Sequence, residues 1–220
     1  IQTKRGNAGG GVQFSVRQAL GFTTIVNKVG TRRFTEETAV AQYGPSAPRD
    51  DATPAEIAEF QAGQQAIRDL FNRTGGSFID YEDEFYGNAG LLSTASLSAS
   101  GGNDRTQFFV SGLIKDDEGI IENTGYEKQS ARVNITHRFS SKFSADVTAN
   151  YVRSTALRGL TGNDNSGTTF GVSLTATPSF IDILPNEDGT YPDHPFNTSN
   201  PFQVRDLASI EETTNRVIAS

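Results

Sequence analysis

The chain has no cysteine, no methionine and no tryptophan, and only two histidines among 220 residues. Without cysteine there is neither a disulfide framework nor a thiolate to serve as nucleophile or metal ligand. His137 and His194 stand far apart, so zinc chemistry has no foothold, and no serine sits in a Gly-X-Ser-X-Gly setting. No apolar run approaches the ~18 residues of a membrane-spanning helix, so any membrane span must be built of strands. Basic residues are outnumbered: 19 Lys and Arg against 26 Asp and Glu give a net charge of −7. With no basic cluster interleaved with aromatics, nucleic acid is excluded as a partner. The apolar fraction is also low, at 35%, against ~45–50% in ordinary globular chains by a count that includes glycine. The expectation is a protein that is not an enzyme and has no catalytic residue, cofactor or metal centre.

What is present is alternation. In Tyr126–Phe139 the positions Ala131, Val133, Ile135 and Phe139 are apolar, while Lys128, Ser130, Arg132, Asn134, Thr136 and Arg138 between them are polar. The next run repeats this, with Phe143, Ala145, Val147, Ala149 and Tyr151 facing one way and Lys142, Ser144, Asp146, Thr148 and Asn150 the other. A period of two is the mark of a half-buried strand. Ser140-Ser141 between the runs predicts a tight hairpin. Leu91, Ala95, Leu97 and Ala99 alternate with Thr94, Ser96, Ser98 and Ser100, then Gly101–Asp104 forms a turn, and Arg105–Lys115 returns with Phe108, Val110 and Ile114 on one face. Val12–Phe22 is a further strand that Gln18 interrupts once on its apolar side; its pattern allows continuation to Val29. Short turns at one end and long connections at the other fit an outer-membrane barrel. Alternation alone fits a soluble β-sandwich equally well.

The remainder is less regular. Thr53-Pro54-Ala55-Glu56 is a capping box with proline in the first turn, and Ile57, Phe60, Ile67 and Phe71 recur at helical spacing, which predicts a helix over Pro54–Arg73 closed by Gly75-Gly76. Asp80, Glu82, Asp83 and Glu84 crowd around Tyr81 without the spacing of a calcium loop, so they read as a solvated acidic loop, as do Asp116-Asp117-Glu118. The glycines of Asn7–Gly11 form a connector and not a phosphate loop, because no Gly-Lys-Ser/Thr follows. Thr168–Thr177 reads as a short helix or a strand, with helix favoured. Pro192, Pro195 and Pro201 predict irregular chain over Tyr191–Phe202, and Glu212–Ser220 opens another strand. No leader-like segment is present, and the sequence reads as an internal piece of a longer protein.

Several segments, in order, carry a family resemblance. Ile1–Gly6, Leu97–Thr106, Phe108–Gly112 with Asp117–Ile121, and Asn123–Tyr126 leading to Arg132-Val133-Asn134 resemble the SusC/RagA-like TonB-dependent outer-membrane transporters. The likeness covers most of residues 1–156 and is loose beyond Leu157. It implies an all-β fold: part of a large antiparallel transmembrane barrel of ~22 strands, with an N-terminal plug mostly absent from this sequence. Residues 1–11 would end the plug and connect it to the barrel. Residues 12–220 would supply the first five or six strands, with extracellular loops at 31–86, 116–125 and 157–211. The apolar faces of Ala131–Phe139 and Phe143–Tyr151 would meet lipid, with Phe139, Phe143 and Tyr151 in aromatic girdles. Arg132, Asn134, Asp146, Thr148 and Asn150 would face the lumen or plug. The resemblance further implies TonB-dependent import of oligosaccharides or peptides across the bacterial outer membrane, with a SusD-like surface lipoprotein as partner. The alternative is a barrel that anchors a secretion or motility assembly. No substrate-binding residue is assigned.

Overall fold

A computed structural model of the chain describes residues 11–162 and 167–220. The expected plug end and most of the glycine-rich connector, at residues 1–10, lie outside the described residues. The described chain forms two compact units. One consists of residues 11–25, Asn88–Gly159 and Ser209–Ser220, the other of Val26–Gly87 and Leu160–Ala208.

The first unit is a six-stranded antiparallel sheet in which every strand pairs with its neighbours in sequence. Its strands are β1 (Gln13–Thr23), β2 (Gly90–Gly102), β3 (Thr106–Glu118), β4 (Gly125–Arg138), β5 (Ser144–Arg158) and β6 (Ile210–Ala219). Two turns are short. In the first, Asn103 Oδ1 accepts from the amides of Arg105 and Thr106 at 2.9 and 2.8 Å, a side chain standing in for a backbone turn. The second is wider than Ser140-Ser141 suggested. The amides of Phe139 and Ser140 both donate to the Phe143 carbonyl, and Ser140 Oγ accepts from the Lys142 and Phe143 amides at 3.2 and 3.1 Å. Pairing therefore stops at Arg138 and resumes at Ser144.

At the other end the first connection is longer than expected, 24–89 instead of 31–86, and the other two are shorter. Asp116, Asp117 and Glu118 belong to β3, and Leu157 and Arg158 to β5. The expected loops at 116–125 and 157–211 thus contract to 119–124 and 159–209. Cross-strand pairing overrides the polar side chains here, with Asp116 opposite Glu127 and Leu157 opposite Glu211. A glycine is required at Gly90, where a Cβ would lie 2.3 Å from the Glu118 carbonyl.

The second unit is helical and irregular, which an all-β reading does not describe. It holds α1 (Glu36–Tyr43), α2 (Pro54–Arg73), α3 (Tyr81–Tyr86), α4 (Phe170–Thr175) and α5 (Pro201–Leu207). The α2 helix starts at the predicted box: Thr53 N donates to Glu56 Oε2 at 2.7 Å and Glu56 N to Thr53 Oγ1 at 3.3 Å. It closes at Gly75 and Gly76, whose φ angles of 63° and 71° lie in the left-handed region that glycine enters without strain. The α1 helix carries a second box, Thr35 with Thr38. Pro201 opens α5 instead of preventing it, since proline fits the first turn, and Asn200 caps it through the Phe202 amide at 2.9 Å.

Apolar side chains from both segments interleave in this unit. Phe180 meets the rings of Phe34, Tyr43 and Phe71 at 5.3, 5.6 and 5.8 Å. Phe85 meets Phe170 and Phe202 at 5.0 and 5.5 Å. Tyr81 is buried and its hydroxyl is fully used, donating to the Ile181 carbonyl and accepting from the Ile183 amide. Burial pushes its pKa well up.

Candidate functional site

The sheet has one apolar face, and register shows how it is organised. Val16, Leu97, Gly112, Ala131, Tyr151 and Val217 form one continuous cross-strand row. Toward the short turns the next row runs from Phe14 through Ala99, Val110, Val133 and Ala149 to Ala219. Toward the long connections the face turns polar, farther out on β1 and β2 than on β4, β5 and β6. The apolar run ends at Phe22 on β1, Leu91 on β2, Ile114 on β3, Ala131 on β4, Tyr151 on β5 and Val217 on β6, with Gln18, Ser93 and His137 as single interruptions below that limit and Leu157 standing alone beyond Arg153 and Thr155. Through the register, this edge falls from the level of Phe22 to the level of Val16 across the sheet, a drop of six residues.

Strands ~4.8 Å apart with a rise of ~3.4 Å per residue, tilted ~40° against a horizontal band, move that band's edge by about one residue per strand. Five steps across the sheet predict a drop of about five to six residues in total; the six observed fall between β2 and β4, with the edge level on either side. On β4 and β5 the band extends from Phe139 and Phe143 to Ala131 and Tyr151. That is nine positions on each arm of the hairpin, counting Phe139 and Phe143 just beyond the last paired residues, as a tilted membrane-spanning strand requires. These side chains are exposed on the sheet surface: Phe139, Phe143, Val147 and Tyr151 among them.

Both edges carry aromatic groups with polar contacts. At the short-turn edge Phe139 stacks with Phe143 at 5.2 Å and with His137 at 4.4 Å, and His137 Nδ1 lies 2.8 Å from Thr106 Oγ1. At the opposite edge the Tyr151 hydroxyl donates to Asn215 Oδ1 at 2.9 Å, reaching from the last apolar row into the polar zone. Amphipathic rings at the two boundaries suit a membrane–water interface.

The other face is polar. The residues read as lumen-facing stand side by side: Arg132 opposite Asn150, Asn134 opposite Thr148, and Thr136 opposite Asp146, to which its hydroxyl donates. The face gathers no catalytic group. Among the described residues, no set of three or more His, Asp or Glu side chains is placed to hold a metal, and no helix is long and apolar enough to cross a membrane.

In the helical unit the acidic stretch ties chain to chain. Asp80 caps α3 and accepts from Thr31 Oγ1 at 2.7 Å, a bond that holds its pKa below the usual carboxylate range. Glu82 takes the amides of Val29 and Gly30 at 2.8 and 2.7 Å, and Asp83 pairs with Lys28. These acids hold residues 28–31 against α3, whose N-terminal turn also favours negative charge. Nearby, a cavity of about 410 Å³ is lined by Arg32, Phe34, Gln42, Tyr43, Tyr81 and Tyr86, with loop backbone and α4 completing it. The sequence carried no signal for it, because its residues come from four separate stretches and the α1 box uses Thr where Glu or Gln is the usual sign.

His194 is buried and locally satisfied. Its Nδ1 accepts the Phe196 amide at 3.1 Å, and Nε2 lies 2.8 Å from Thr177 Oγ1, whose hydroxyl donates to the Ser173 carbonyl. Those roles require a neutral ring protonated on Nε2, and burial lowers its pKa accordingly.

Such a sheet defines a segment of an antiparallel membrane β-barrel. No family model matches the chain. It is similar to the TonB-dependent receptor P3 of Formosa agariphila, with 24% identity over 180 residues, or 81% of this chain and 18% of that protein. Among solved structures it is similar to the RagAB peptide importer in the closed-closed state (TM-score 0.61, 18% identity) and to the RagAB peptide transporter (TM-score 0.60, 19% identity). Each likeness takes in 100% of this chain and 27% of the other. The chain therefore spans about a fifth to a quarter of the length of these relatives. It is similar to a segment of the SusC/RagA-like TonB-dependent transporters, as its motifs indicate, and shares their barrel fold. The relatives are a receptor and an importer, which fits a protein that is not an enzyme.

Proposed function

We propose that the whole protein is a TonB-dependent importer of oligosaccharides or peptides in the bacterial outer membrane, working with a SusD-like surface lipoprotein. The observation that carries this reading is the apolar face left exposed across six strands, with Phe14, Val16, Leu97, Ile114, Val147 and Val217 on its surface, since a soluble sandwich buries such a face against a second sheet. In this reading β1–β6 begin a barrel of ~22 strands, and residues 1–11 end a plug inside it and connect it to the barrel. The connections 24–89, 119–124 and 159–209 face the exterior, and TonB pulls on the plug to open a path.

Affinity purification of the full-length protein from native outer membranes, combined with growth of a deletion strain on glycans and peptides, tests it. A stoichiometric SusD-like lipoprotein and a growth defect restored by the gene are expected. Co-purification with secretion or motility components, with growth unaffected, would replace import by an anchoring role.

A further inference from the structure

We propose that the cavity around Arg32 is a subsite for a carboxylate group on the transported molecule. The cavity holds two charged side chains, Arg32 and Glu82, and only one of them is available. Glu82 spends both carboxylate oxygens on the Val29 and Gly30 amides. Among the described residues Arg32 has no carboxylate partner: its Nη1 donates to Gln42 Oε1 at 2.5 Å, and its guanidinium lies 4.8 Å from the Phe34 ring centre. Ser179 Oγ holds its backbone carbonyl at 2.6 Å. The guanidinium is therefore steadied with most of its donors unused, and a planar fork of that kind matches a carboxylate with two parallel bonds.

The surroundings suit the rest of such a ligand. Tyr43 and Tyr86 are half-buried and offer ring surface, while the Tyr81 hydroxyl is occupied by backbone and cannot compete for the anion. The volume of about 410 Å³ falls within the ~300–1,000 Å³ of small-ligand sites. A sugar acid and a peptide terminus present the same group. The assignment rests on the import reading in one respect, that the ligand is the cargo.

The test is calorimetric titration of the full-length protein in detergent with four probes: an oligogalacturonide, its methyl ester, a tripeptide, and the same tripeptide amidated at its C-terminus. At least one free acid should bind, and its neutral counterpart should bind at least about tenfold more weakly. Arg32→Ala should cause a similar loss, and Gln42→Glu should weaken binding by supplying Arg32 with a carboxylate of its own. Arg32 and Gln42 are exposed, so both variants keep the fold. Loss confined to the oligogalacturonide pair identifies a sugar acid, and loss confined to the peptide pair identifies a peptide end. Absence of binding by both acids, equal affinity for acid and neutral forms, or an unchanged Arg32→Ala protein would overturn the subsite. Uptake by cells is read separately: Arg32-dependent binding without uptake removes import and leaves the subsite, and uptake with Arg32-independent binding does the reverse.

Discussion

Phenylalanine has opposite roles in the two units. Phe14 and Phe22 on the sheet are each 74% exposed, whereas Phe85 and Phe180 in the helical unit are each 1% exposed. In the helical unit, rings are removed from water by one another, as in any soluble core. In the sheet, they project outward from a backbone whose hydrogen bonds are satisfied between strands, and the medium has to supply the apolar contact. One residue type therefore reports two solvents, and the arrangement around it decides which.

The largest effect should come from breaking the core that the helical unit makes for itself. Phe180→Ala removes a ring that meets Phe34, Tyr43 and Phe71 and should cost about 3–5 kcal/mol. Denaturant titration of the detergent-solubilised protein, followed by protease cleavage within residues 26–87, measures it. Phe14→Ala should cost far less in the same assay, and equal costs would erase the distinction between the units.

Next in size is a charge placed on the apolar face. Val147→Arg should destabilise folding into bilayers by about 2–4 kcal/mol near the midplane. Its neighbour Thr148→Arg, on the polar face, should be much milder. Similar losses for both would show that the two faces are not distinguished by lipid.

Acid should separate the units in a third way. The pKa of His194 is lowered from 6.5 by burial, so its folded site favours the neutral ring. Its contribution to stability is fully present above that ordinary value and is lost as pH falls toward the lowered one. Proteolysis within 160–208 should therefore speed up between neutral and mildly acidic pH, and His194→Gln should flatten that dependence. Unchanged cleavage of the wild type across that range would argue against a neutral lock.

The smallest effect is local. Thr53→Ala removes the hydroxyl half of the α2 capping box and should cost about 1 kcal/mol of helical-unit stability. The Thr53 amide and hydroxyl also hold the pKa of Glu56 below its usual value, so what remains of the box should weaken further in acid. Circular dichroism melts of wild type and variant at two pH values check both points.

The strands and α2 were legible because their signals are local. Ala131 to Tyr151 alternates over two strands, and Thr53 to Gly76 carries both a start and a stop. The cavity was not legible. Arg32, Gln42, Tyr86 and Ser179 acquire a common purpose only where two connections separated by four strands of sequence, β2 to β5, fold together. The acids at Asp80–Glu84 misled as a solvated loop for the same reason, since their partners Lys28, Val29, Gly30 and Thr31 lie about fifty residues earlier.

By itself the sequence determined the strand faces, the long capped helix and the family likeness, because each depends on neighbours in the chain or on short ordered motifs. The tertiary structure alone decided where each strand ends, how the apolar edge steps down between β2 and β4, and that Arg32 is left without a carboxylate partner among the described residues. Register and packing join residues distant in sequence, and no local period encodes those pairings.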